Sequence, residues 1–183
     1  IILKELKQPN DKILNALIEI RKKRKKPFFD NKTQMDLNSL WISVLIQADK
    51  ITNEENYIKK AETYYKNLEK KYVGVKYHHS YSKEHVFLED YAFLIQALID
   101  LAENTLILDY RNKAKELCDE VINTFYCRKR QIFQKNCIKQ NDLFFEPIDI
   151  GDHTVPNGNS IMLKNFARLK YFCPESDGLA KSI

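Results

Sequence analysis

"VFLEDYAFLIQALIDLA", residues 86–102, decides how the rest of the chain is read. On a helix of about 3.6 residues per turn its apolar side chains form no single stripe, because Phe87, Leu88, Tyr91, Phe93, Leu94, Ile95, Leu98, Ile99 and Leu101 point to all sides. Such a helix has to be covered nearly all round. It is not a membrane span: Glu89, Asp90, Gln96 and Asp100 interrupt it, and crossing a bilayer takes about 18 to 20 predominantly apolar residues. Residues 86–103 therefore read as an interior helix of a helical protein.

Working outward, the neighbouring helices are of two kinds. Residues 11–26 carry one stripe, Ile13, Leu14, Leu17 and Ile18, and then become "RKKRKK" before Pro27. Residues 36–50 are apolar all round, through Leu37, Leu40, Trp41, Ile42, Val44, Leu45, Ile46 and Ala48. Residues 54–72 return to a stripe of Tyr57, Ile58, Ala61, Tyr64, Tyr65, Leu68 and Tyr72, and 109–126 to one of Tyr110, Ala114, Leu117, Cys118, Val121 and Phe125. Residues 160–172 are again broadly apolar, and no run alternates as a strand would. One-faced and all-round helices in alternation are what two concentric layers produce as a chain winds out and in. The expected fold is all-α: part of an (α/α) toroid of antiparallel hairpins, with alternating outer and inner helices.

Irregular sequence collects ahead of each inner helix, as "KPFFDNKTQMD", "GVKYHHSYSKEH" and "CIKQNDLFFEPIDIGDHTVPNG". The starts of the three inner helices should then gather at one mouth, with their positive dipole ends and caps. The stretch "HTVPNGNSIML", 153–163, fits this: Pro156 and Gly158 break what precedes, and Asn157, Asn159 or Ser160 can cap the helix that follows.

Composition agrees with an ordinary globular chain: 183 residues, 44% hydrophobic, 30% charged, net charge +5. A soluble, cytoplasmic protein is expected, with no membrane partner, and a beginning at Ile1 without methionine suggests a piece of something longer. Cys118, Cys127, Cys137 and Cys173 show no CxxC spacing, so neither metal nor cofactor is expected, only reduced core and surface thiols. "RKKRKK" raises nucleic-acid binding as a rival, but 25 acidic residues are spread along the chain and cations suit a helix C-terminus, so a solvated helix end is favoured.

Over residues 20–172, the strings "RKKRKKPFFDNKTQMDLNSLWI", "HHSYSKEHVFLEDYAFLIQALIDLAE" and "VPNGNSIMLKNFARL" resemble the C-terminal helical region of the YyaL-like, spermatogenesis-associated thioredoxin-domain proteins. The resemblance implies a six-hairpin, glycosidase-like (α/α) barrel similar to that of N-acylglucosamine epimerases, carbohydrate-type chemistry, and a chain holding about half of the ring in one domain, 1–183. An open half ring should expose its flanks and favour self-association. The family's Trp-Asn-Gly stands here as Leu37-Asn38-Ser39, its Asp-Asp-Lys as Asp30-Asn31-Lys32, its Pro-Ser-Gly-Asn-Ser as Pro156-Asn157-Gly158-Asn159-Ser160, and its Gly-Gly-Phe-Phe turn as "RKRQIFQ". The thioredoxin-like domain is not in this sequence.

Candidate chemistry centres on Glu89 and Asp90, which could serve as acid and base, provided desolvation or its neighbour's charge raises the pKa of one of them. The competing reading is structural: consecutive helical residues project about 100° apart, so one can bond loop amides while the other sits near the dipole. His79, in the family's His-Ser-Tyr position beside His78, Ser80 and Tyr81, is the third catalytic candidate. Lys32, Asn38, Tyr91, Asn157, Asn159 and Ser160 are candidates for holding a sugar-like small molecule, with Trp41 and Tyr81 for stacking. A non-enzymatic protein-interaction scaffold is the alternative.

Overall fold

The computed structural model describes residues 10–52, 56–72, 77–80, 85–136, 151–152 and 154–172. Its helices follow the apolar periods: α1 (Asp11–Lys22), α2 (Met35–Thr52), α3 (Tyr57–Lys71), α4 (Leu88–Thr105), α5 (Leu108–Phe125) and α6 (Gly158–Phe172). The chain divides into two units, Ile1–Asn31 and Lys32–Ile183.

In the first unit, the Asn10 side chain accepts the Lys12 amide at 3.0 Å and starts α1. The helix ends at Lys22, earlier than the expected 26, because consecutive like charges repel on a helix and Pro27 disfavours helical geometry just before it. Lys22 finds one partner, Glu19, at 2.7 Å. The stripe of Ile13, Leu14, Leu17 and Ile18 is exposed.

In the second unit α4 is the hub. It packs against α2 on one side and α6 on the other, with α3 and α5 behind. Leu88, Tyr91, Phe93, Leu94, Ile95, Leu98, Ile99 and Leu101 are all buried, each apolar side chain contributing about 1.5–3 kcal/mol. α3 and α5 bury single stripes, Ala61, Tyr65 and Leu68 on one and Tyr110 to Phe125 on the other. The inner row is thus α2, α4 and α6 and the outer row α3 and α5, as the alternation implied.

Two features depart from expectation. α2 is not covered all round: Ile42, Leu45 and Ile46 are buried, but Leu37, Trp41 and Val44, spaced along one face, remain about half exposed. Within its unit α3 and α4 are the helices that pack most heavily on it, and the face carrying Leu37, Trp41 and Val44 stays open. A small antiparallel hairpin also follows α5, with β1 (Tyr126–Cys127) paired to β2 (Ile132–Phe133) around Gln131 at φ 52°. Two-residue strands are too short to show an alternating pattern.

The inner-helix starts are joined by backbone. Met35 N–H donates to the His79 carbonyl at 3.0 Å, His79 N–H to that of His85 at 2.8 Å, and Leu88 N–H to that of Lys135 at 2.9 Å, satisfying first-turn amides that would otherwise be orphaned. At α6, Asn157 Oδ1 accepts the amides of Asn159 and Ser160, while the Asn159 side chain bonds both backbone groups of Phe133. Gly158 sits in close approach to α4: a Cβ there would lie 3.0 Å from the buried Leu88 side chain and 3.1 Å from Glu89 Oε1, so both would have to shift. Gly158→Ala is therefore expected to cost about 1–3 kcal/mol by overpacking, read from urea denaturation midpoints.

Candidate functional site

Asp36 in the first turn of α2, His79 in the segment 77–80 and Asp90 in the first turn of α4 meet at the joined helix starts. Asp90 is fully buried: Oδ2 accepts the Phe87 amide at 2.9 Å and Oδ1 lies 2.9 Å from His79 Nδ1. Asp90 thereby supplies the cap that Phe87, lacking a polar side chain, cannot. Asp36 Oδ1 stands 3.8 Å from the same ring nitrogen. On the far side of the imidazole, Gln34 Nε2 is 3.2 Å from His79 Nε2, and the Phe87 ring meets the imidazole edge-on at 5.1 Å. The tautomer with its proton on Nδ1 is the one that satisfies both contacts, donating to the Asp90 carboxylate and accepting from the Gln34 amide nitrogen. Burial holds the Asp90 carboxyl above the usual carboxylate range, against the pull of the Phe87 amide and of His79; the Asp36 charge pushes it the same way.

A cavity of about 400 Å³ opens beside this cluster, lined among others by Asp36, His79, Glu89, Lys135, Pro156 and Asn157. It brings together parts of all three connections, from ahead of α2, α4 and α6. A second cavity, about 350 Å³, lies at the opposite end among Ile99, Leu106, Leu108, Arg111 and Leu169. That one is largely apolar and gathers no comparable set of convergent polar groups, so the first is the better candidate site.

Of the residues singled out in the sequence, Glu89, His79 and Asn157 line the cavity, and Asp90 stands behind His79. The others have different partners. Asn38 donates to the Gln34 carbonyl at 2.7 Å, one turn back. Tyr91 is buried and its hydroxyl meets Glu120 of α5 at 2.7 Å. Asn159 is held by Phe133, the Ser160 amide by Asn157, and Lys32 and Ser160 are exposed. Trp41 lies on the open face of α2, and Tyr81 falls outside the described residues. Asp36, Gln34 and Lys135 were missed. Asp36 is an acidic residue in the first turn of a buried helix, which was a readable signal; Lys135 sits in a loop whose turn back onto α4 no period announces.

No protein-family model matches the chain. It is 28% identical to an uncharacterised protein of Caenorhabditis elegans, over 90% of this chain and 24% of that one. Its fold resembles that of a solved GH76 α-mannanase of Bacteroides thetaiotaomicron, with a TM-score of 0.65, 12% identity, and coverage of 87% of this chain and 44% of that one. The chain is built as part of an (α/α) toroid of the six-hairpin glycosidase type. It spans about a quarter of the nematode protein and less than half of the mannanase. No helix of the described residues is long and apolar enough to cross a membrane.

Proposed function

We propose that the cavity at the inner-helix starts binds a carbohydrate or similar small polyhydroxylated molecule, in a protein of the YyaL-like thioredoxin-domain kind. The observation that carries this reading is the convergence of Asp36, His79, Glu89, Lys135 and Asn157 on one cavity, in a fold shared with a mannanase. Carboxylates and amides beside an apolar wall such as Phe87 suit sugar hydroxyls and ring faces. Glu89 is the side chain best placed to touch a ligand; His79 is oriented by Asp90, and Asn157 is committed through Oδ1 to its cap.

The test is a titration of mono- and oligosaccharides, including α-mannosides and N-acylated hexosamines, followed by amide NMR shifts. Glu89→Gln should weaken binding at least about tenfold with little change in melting temperature. A stable variant with undiminished binding would remove Glu89 from the site, and no shift with any sugar would end the reading. The open face of α2, with Leu37, Trp41 and Val44, supports a second reading as an interaction scaffold whose flank takes another helix.

A further inference from the structure

We infer that Asp36, His79 and Asp90 form a binding site for one divalent transition-metal cation of the zinc or manganese class. The three donors come from separate segments, so the fold rather than local sequence assembles them, and their ligand atoms lie within 4.8 Å of one another. His79 Nδ1 is 2.9 Å from Asp90 Oδ1 and 3.8 Å from Asp36 Oδ1. Two ligand atoms sharing an ion at about 2.0–2.2 Å stand roughly 2.8–4.2 Å apart as the angle between them opens, so both distances suit one centre.

The atoms behind the donors are held as a metal site needs. Asp90 Oδ2 is fixed by the Phe87 amide and His79 Nε2 faces Gln34, while the Leu37 amide donates at 2.7 Å to Asp36 Oδ1, the ligand oxygen itself, and so fixes its position directly. Outer partners of this kind set ring and carboxylate orientation. A cation on Nδ1 replaces its proton, which goes to solvent; the remaining proton then sits on Nε2 and the Gln34 amide turns its oxygen to the ring. One imidazole and two carboxylates favour zinc- or manganese-type ions over soft ones.

Charge points the same way. Asp36 and Glu89 line the cavity and Asp90 stands behind His79, against Lys135, a formal excess of negative charge that a dication balances. Asp90 closes the rear of the site, while Asp36 and His79 keep 15% and 26% of their side chains exposed toward the opening, leaving coordination positions for water or a ligand oxygen. The assignment shares a cavity with the proposed sugar site but does not rest on it.

The experiment is titration of the whole chain with ZnCl2 and with MnCl2 alone, by calorimetry at two pH values, with the His79 ring nitrogens followed by NMR. One equivalent should bind with proton release and loss of the Nδ1–H signal, and should raise the melting temperature by about 5 °C at saturation. Asp36→Asn, which leaves the Asp90–His79 bond and the Asp90 cap in place, should weaken binding at least about tenfold, and His85→Gln should not. Absence of saturable binding up to about 1 mM, unchanged binding in Asp36→Asn, or loss of binding in His85→Gln would each overturn the site. Metal binding without sugar binding would leave this assignment standing and remove only the ligand reading.

Discussion

Asp90→Ala is expected to lower stability by about 3 kcal/mol, a fall in melting temperature of roughly 6–12 °C for a chain of this length. The loss follows from two donors, not one. The Phe87 amide at the start of α4 and the Nδ1–H of His79 both end on this carboxylate, and both would be left without their acceptor where Asp90 itself is fully buried. Each such orphan costs about 1–3 kcal/mol. Asp90→Asn separates the two roles. Its side-chain oxygen can still cap Phe87, but its NH2 faces His79 Nδ1 and forces the ring proton to Nε2, where the Gln34 amide nitrogen already stands at 3.2 Å. The Asn variant should recover about half the loss while switching the His79 tautomer, visible in ring nitrogen shifts. Equal losses in both variants would mean that the bond to His79 alone matters, and an Asn variant as stable as the parent that the cap alone does.

Arg168→Met should cost a similar amount at the other end of the molecule. Arg168 on α6 places Nη2 2.6 Å from Asp100 Oδ1 and 2.8 Å from Glu103 Oε2, and Nε 3.1 Å from Glu103 Oε1. Both carboxylates belong to the C-terminal half of α4, where the helix dipole already disfavours negative charge and the last turn has no basic residue of its own. Removing one partner of a buried ion pair costs about 3–5 kcal/mol; the partial exposure of Glu103 brings the expectation to about 2–4 kcal/mol. Arg168→Lys should recover only part of this, because a single ammonium cannot present the fork that reaches two carboxylates. Urea unfolding of both variants checks it: a Lys variant as stable as the parent would reduce the contact to simple charge neutralisation.

The fold was legible because helix periods register burial directly. The all-round apolar stretch at 86–102 became the most buried helix, and the single stripes of 54–72 and 109–126 became the buried faces of the outer helices α3 and α5. Where α2 failed the same test, the sequence still described the side chains: Leu37, Trp41 and Val44 are apolar, but whether a neighbour covers them depends on helices that pack on them, which no local pattern encodes. The site was legible only in part. Adjacency drew attention to Glu89 and Asp90, and the structure gives them the divided duties that a 100° separation implies, one toward the cavity and one back onto the chain. Tyr91 and Asn38 were named for their chemistry alone, and their hydroxyl and amide go to Glu120 and Gln34. Asp36 joins the cluster through a pairing across sequence, the bridge between Gln34 and Ser80, which periodicity does not carry.

The central position of α4 also orders events on the ribosome. α5 follows it almost at once, but α6 begins only at Gly158, about fifty residues after α4 ends at Thr105, which at roughly 5–20 residues per second is several seconds of synthesis. Through that interval the side of α4 that will receive Asn165, Phe166 and Leu169 has no cover, and the Ala92 carbonyl, Asp100 and Glu103 wait for partners still inside the exit tunnel. A nascent chain stalled before residue 158 is thus expected to expose that side of α4, an apolar surface of the kind that holdases bind, until α6 is released to cover it.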